Sequence, residues 1–267
     1  MRIAVTASGF IRPNSTCFSE FQKYFVEPAK EQGHVIDLYV HAWDIDGTRV
    51  PTDIIRDDRY DYQCIWSGNI TTLNRDPISI QNLVATNIKI DSYEECSKMF
   101  DTNDRVYSRT KSRHQAICKK SMWWSVREAW KLIDDPASYD IIVRTRLDNR
   151  WGRKLDLFNS GSTCKDNEHF RKIRFYFPDI KFPTVSEKTV FLPWRSHDQN
   201  QYIDDMFAWG DPASMSIYCS VWDSIENLFD MVWHLPDPLE NETIMALHLL
   251  ENNVKLMTFE KLPTLFK

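Results

Sequence analysis

The chain has 267 residues, with 42% hydrophobic and 27% charged, which are ordinary values for a globular protein and exclude both a disordered chain and a coiled coil. Its net charge of −5 argues against a protein built to hold a nucleic acid polymer, because phosphate binding needs a basic surface. The start MRIAVTASGF has no basic lead, long apolar stretch or cleavage site, and no run of eighteen apolar residues follows, so no membrane span and a cytoplasmic location are expected.

In chain order, residues 2–8 form a short β-branched apolar run that turns at Gly9. Phe18, Phe21 and Phe25 then recur at helical spacing before Pro28, Gly33 ends that helix, and HVIDLYVHAW supplies a second apolar run. These forty residues read as a βαβ unit, which sets the fold class as α/β with a central, mostly parallel sheet flanked by helices in a single domain, 1–267. From Asp44 to Asp104 only YQCIWSG reads as a strand and SYEECSKMF as a short helix. A long helix over 112–133 follows, with Met122, Val126, Trp130 and Ile133 along one face. YDIIVRTRLDN is a buried-type strand ending in charge, 152–170 a polar loop, and IRFYF and TVFLPW two more strands. DDMFAWG is a strand closing at Gly210, Pro212 opens a helix, 213–229 and 240–251 are helical, and VKLMTF is a last strand. No internal repeat, low-complexity tract or linker interrupts the pattern.

The strongest chemical signal is Arg144-Thr145-Arg146-Leu147-Asp148-Asn149 directly after an apolar strand. In open α/β sheets ligands sit beyond the carboxyl ends of the strands, so charges there are placed for chemistry. A diphosphate leaving group needs cations for its oxygens and a carboxylate to hold Mg²⁺ or Mn²⁺. The two arginines are read as alternating in direction, one toward the ligand and one paired inside the fold; a buried salt bridge at a strand end is the competing structural reading.

The Ser8-Gly9-Phe10-Ile11-Arg12 turn, with Thr6 before it, offers backbone amides and Arg12 to a nucleotide, against the plain reading of a strand-to-helix turn. It has neither G-x-G-x-x-G nor G-K-[ST], which counts against dehydrogenases and kinases. Asp44-Ile45-Asp46 is a literal Asp-x-Asp whose spacing arises easily by chance and reads as an Asp-rich turn before Gly47. Asp204 and Asp205 precede MFAW, where one carboxylate could take a proton from an attacking hydroxyl, with Asp198 and Glu242 as further candidates. Trp194, Trp209 and His197 could shape an acceptor pocket, core packing being the alternative for at least one tryptophan. Arg109, Lys111, Arg113, His114, Lys119 and Lys120 read as a solvated helix face, or as a field drawing in an anion. The six cysteines are scattered singly and read as reduced thiols; the Asn-x-Ser/Thr sequons at Asn14, Asn69 and Asn241 read as coincidence.

The blocks SMWWSVREAWKLI (121–133), YDIIVRTRLD (139–148), ASGFIR (7–12) and DDMFAWGDPASM (204–215) together resemble a family of glycosyltransferases found in large algal viruses (chloroviruses) and in bacterial surface-polysaccharide clusters. The resemblance implies a GT-A-like fold, a nucleotide-sugar donor, a glycan acceptor and an Asp-x-Asp-like metal site at the end of the central strand. Here that site is Asp148 followed by Asn149 and Arg150, so either Asp148 alone binds Mn²⁺ or Mg²⁺, or the arginines neutralise the diphosphate. Asp205 aligns with the family's Asp-x-Phe-Ala-x-Gly block and is the expected base of an inverting reaction. Asp198 with Trp194, His197 and Trp209 would meet the acceptor. Among the viral relatives a β-xylosyltransferase of the capsid glycan makes UDP-xylose the first donor to test. The rival classes are another nucleotide-binding α/β transferase, such as a methyltransferase, which the scarcity of glycine (seven) disfavours, and a non-catalytic glycan-binding protein of the same fold.

Overall fold

A computed structural model describes residues 1–11, 17–46, 85–100, 113–147, 168–183, 186–197, 200–232, 234–235 and 240–260. The described strands form one sheet. In chain order they are β1 (Arg2–Ile11), β2 (Val35–Asp46), β3 (Asn87–Asp91), β4 (Ile141–Arg146), β5 (Thr189–His197), β6 (Asn200–Ile203), β7 (Phe207–Gly210) and β8 (Lys255–Glu260). Their spatial order is β3-β2-β1-β4-β7-β5-β6, with β8 also on β5. The first four strands of that order are mutually parallel, as the opening βαβ pattern predicts, and β7 enters antiparallel between β4 and β5.

Side-chain alternation divides the sheet between two layers. Ile3, Val5, Ala7, Leu38, Val40, Ala42, Ile141 and Val143 pack with Phe21, Phe25 and Val26 from the first helical run. That run is α1 (Cys17–Phe21), a π-helical turn (Gln22–Val26) and α2 (Glu27–Glu31); the chain passes through Pro28, which stands in the first turn of α2 where no amide is needed. Phe21 and Phe25 stack at 5.2 Å, as their spacing predicts.

On the opposite face, Ala4, Tyr39 and Ile142 pack with Trp123 and Val126 of α4 (Arg113–Trp130) and with α6 (Pro212–Cys219), α7 (Ile225–Val232) and α8 (Asn241–Glu251). The predicted long helix is α4, which ends at Trp130, so Ile133 is buried just past its last turn. The short helix read from SYEECSKMF is α3 (Tyr93–Phe100), and Asp44 accepts a hydrogen bond from the Tyr93 amide at 3.0 Å. That half of the literal Asp-x-Asp therefore serves a helix end.

Three readings of the elements are corrected. IRFYF is not a strand: it finishes α5 (Glu168–Tyr176), where Phe170 and Ile173 are buried three residues apart and Phe175 is 78% exposed. Short apolar runs do not distinguish the two periods. β3, with its alternating N-I-K-I-D, was not foreseen, because only unbroken apolar runs were read as strands in that polar region. The first strand does not turn at Gly9: β1 continues to Ile11, with an irregular register between Gly9 and Ile11 and a φ of 123° at Gly9 that an L side chain rarely adopts. The YQCIWSG strand lies outside the described residues.

His41 is fully buried between Ser125 Oγ (2.6 Å) and Asp91 Oδ2 (3.1 Å). Burial is the largest influence on the ring and holds its pKa below the ordinary histidine value, despite Asp91. As pH falls below about 6.5 the unfolded chain takes up this proton and the folded chain does not, so stability is lost on the acid side. Urea unfolding at pH 7 and pH 5 should show that loss, and His41→Gln should lose less over the same interval.

Candidate functional site

On the α4 face the sheet turns from apolar to polar toward the carboxyl ends of its parallel strands. Ala4 and Ile142 give way to Thr6 beside Arg144, and then to Ser8 beside Arg146, residues paired in register on β1 and β4. The Leu147 amide donates to the Ser8 carbonyl at 3.1 Å, so the two strand ends stay together to the rim. The arginines do not alternate as the sequence reading had it. Positions two apart on a strand share a face, and depth separates them: Arg144 is fully buried and Arg146 half-buried.

β6 and β7 bring the acidic pair to the same rim. They run as consecutive antiparallel partners of β5, through Trp194↔Ile203 and Phe191↔Trp209. Between those pairs β5 advances by Leu192 and Pro193 only, while the partner run carries Asp204 to Ala208. The surplus is expelled as a bulge. The Asp204 amide donates to the Pro193 carbonyl (2.9 Å), and the Asp204 side chain accepts from the Met206 amide (2.9 Å), which closes the loop on itself. Gly210 ends the bulged run, where a Cβ would lie 2.6 Å from the Thr189 carbonyl oxygen; the next residue, Asp211, caps α6 through the Ser214 amide at 2.9 Å.

Asp205 sits at the centre, only 5% exposed. Its backbone carbonyl accepts from Arg144 Nη1 and from the Tyr218 hydroxyl (3.5 Å), and its Oδ2 accepts from Asn241 Nδ2 at 2.9 Å. Burial pushes its carboxyl up, but the charges of Arg146, Arg144 and Lys119 with the Asn241 hydrogen bond outweigh it and hold the group below the usual carboxylate range. Asp205 is thus held toward its anionic form by three cations. Among the described residues, Arg144 Nε and Nη2 are buried without a hydrogen-bond partner, as is Asn241 Oδ1. Buried donors left unmatched cost about 1–3 kcal/mol each, so such groups point to a water or ligand oxygen that completes them.

The other expected site residues divide. Ser8 is buried beside Arg146 and Gly9 is half-buried at the bulge, both at the rim. Thr6 is fully buried and donates to the Val143 carbonyl at 3.3 Å, a sheet contact. Trp209 is 8% exposed and stacks on Phe191 at 3.9 Å, which places it in the core and gives one ring face to a neighbouring aromatic. Arg12, Asp148 and Asp198 lie outside the described residues, as do the side chains of Trp194 and His197 on β5. The solvated-face reading of the α4 lysines is corrected at Lys120: it is fully buried, bonded to Glu226 at 2.5 Å and lying over the Phe229 ring. Glu242, read as a further candidate base, is half-buried in the first turn of α8. Sequence reasoning assigned no chemistry to Asn241 and only an unspecific cation to Lys119, because neither stands near Asp205 in sequence.

Among the described residues no three of His, Cys, Asp and Glu converge to hold a metal ion, and no helix is long and apolar enough to cross a membrane. The described rim faces Asp205 with Arg144, Arg146 and Lys119, a set that repels a divalent cation unless a diphosphate lies between them. These residues by themselves do not fit a metal.

No protein-family model matches the chain, and no curated protein does. Among solved structures, the chain is similar to the crystal structure of mouse Xyloside xylosyltransferase 1 in its apo form. That similarity has a TM-score of 0.37 and 6% identity over 96% of this chain and 83% of that one, too slight to carry an argument.

Proposed function

We propose that the chain is a glycosyltransferase that moves a sugar from a nucleotide-sugar donor to a glycan acceptor. The observation that carries the reading is the buried Arg144 guanidinium, with two nitrogens unmatched among the described residues, beside Arg146 and Lys119 at the carboxyl rim of a mostly parallel sheet. Such fixed cations suit a diphosphate, because they are in place before charge builds on the leaving group. The resemblance of four sequence blocks to the chlorovirus and surface-polysaccharide family supports the same reading, and makes UDP-xylose the first donor.

In the reaction proposed, Arg146 and Lys119 hold the diphosphate, with Arg144 behind them. The acceptor hydroxyl attacks the anomeric carbon as the bond from that carbon to the phosphate oxygen breaks. Its proton passes to the Asp205 carboxylate, and the electron pair of the broken bond leaves on the diphosphate. A single displacement of this kind inverts the anomeric centre. Asp148 would hold Mn²⁺ or Mg²⁺ if the enzyme uses one. Arg12, Ser8 and Gly9 would meet the nucleotide, and Trp194, His197 and Asp198 the acceptor.

The burial of Asp205 and its three cations favour one alternative, in which it serves only as their counter-ion within a glycan-binding protein of this fold. A panel of UDP- and GDP-sugars in thermal shift and transfer assays, with Mn²⁺ and with EDTA, separates the two. The expected result is stabilisation by UDP together with transfer from one UDP-sugar. Stabilisation that survives EDTA assigns diphosphate neutralisation to the cations, and stabilisation lost with EDTA shows that a divalent metal is needed, with Asp148→Ala the test of its ligand. No response to any nucleotide sinks the transferase reading.

A further inference from the structure

We infer that Asn241 is a positioning residue that aims the Asp205 carboxylate at the acceptor, which makes the first turn of α8 part of the site. The inference rests on the reading of Asp205 as the base. Asn241 entered the sequence reading only as the acceptor of a chance glycosylation sequon, Asn241-Glu242-Thr243. In the fold Asn241 is 6% exposed and its amide is engaged, so the sequon is not presented to solvent.

The geometry is specific. Asn241 Nδ2 donates to Asp205 Oδ2 at 2.9 Å and also touches Met122 Sδ of α4 at 3.3 Å. A carboxylate only accepts, so the amide must turn its nitrogen to Asp205. That orientation leaves Asn241 Oδ1 buried and unmatched among the described residues. An apolar residue of similar size would avoid that cost at a purely structural position; here an unmatched acceptor is kept to hold one carboxylate oxygen. With Oδ2 anchored, Oδ1 of Asp205 is the oxygen that takes the acceptor proton. The other groups around the carboxylate are Arg144 and Arg146 from β4, Lys119 from α4, Tyr218 from α6 and Asp204 from its own loop. They supply charge and a backbone contact, and Asn241 alone among them donates to a carboxylate oxygen within the described residues.

The experiment compares wild type, Asn241→Ala, Asn241→Asp and Asp205→Asn as full chains, with the UDP-sugar that wild type turns over. Asn241→Ala is expected to lower kcat by up to about 100-fold while the donor KM stays within about twofold, as befits a misaimed group that does not touch the donor. Asn241→Asp keeps the shape but sets a second carboxyl against Oδ2, and is expected to move the acid limb of kcat upward by at least about one pH unit. A lower melting temperature with kcat and acid limb unchanged in both Asn241 variants would mean packing only and would overturn the inference. If Asp205→Asn keeps wild-type kcat, the base reading fails and this inference with it; if Asp205→Asn is inactive while both Asn241 variants match wild type, only the positioning role fails.

Discussion

Asp205→Asn is expected to reduce sugar transfer by roughly 10²–10⁴-fold, the range general-base catalysis supplies, with donor affinity largely kept. The substitution preserves shape and the burial of the side chain, and it removes only the anion that would take the proton. In wild type the same reading sets the acid limb of kcat below the usual carboxylate range, because Arg146, Arg144, Lys119 and Asn241 hold the carboxyl down against its burial. Transfer should therefore be flat from neutral pH down toward pH ~4, about where an unperturbed carboxyl titrates. A depressed carboxyl stabilises the fold at pH values above its unfolded pKa, and that contribution disappears as pH falls through the folded value. A transfer rate that Asp205→Asn leaves intact, beside a large fall in melting temperature, would assign Asp205 the counter-ion role alone.

Arg144→Leu is the substitution expected to cost most stability, about 3–5 kcal/mol in urea unfolding, since removing one partner of a buried charge cluster strands the others. Arg144 is wholly buried, its Nη1 bonds the Asp205 carbonyl at the bulge, and its charge faces the Asp205 carboxylate. Leucine satisfies neither contact. The half-buried Arg146 is the control: Arg146→Leu should cost much less stability, because water still reaches that end of β4. It should instead weaken binding of UDP. Equal losses of stability from the two variants would contradict the division of labour by depth.

The alternation of Ile3, Val5 and Ala7 against Ala4, Thr6 and Ser8 was not needed to recognise β1, since its apolar, β-branched run already marked a strand. The same holds for β2 and β4, for the phenylalanine spacing of the first helical run, for the long α4, and for Pro212 at the opening of α6. Local preference and hydrophobic period decide such elements, and both are written within a few residues of each other. The placement of charge at the end of β4 was likewise legible, because strand direction determines which end of a parallel sheet gathers side chains.

Local pattern therefore suffices for the α/β class, most of the helices and strands, and a charged rim after Ile141–Arg146. Long-range packing inserts β7 antiparallel beside β4, lets three surplus residues bulge Asp205 over Arg144, and brings Asn241 and Lys119 from helices distant in sequence. It also decided that Trp209 stacks in the core, between the two roles the sequence left open for the tryptophans, and that Lys120 is buried where a solvated face was read. The physical reason is the range of the forces involved. Propensity and periodicity act over a few bonds, whereas a buried charge is tolerated only if partners from anywhere in the chain meet it, and which partners do so depends on how the layers pack.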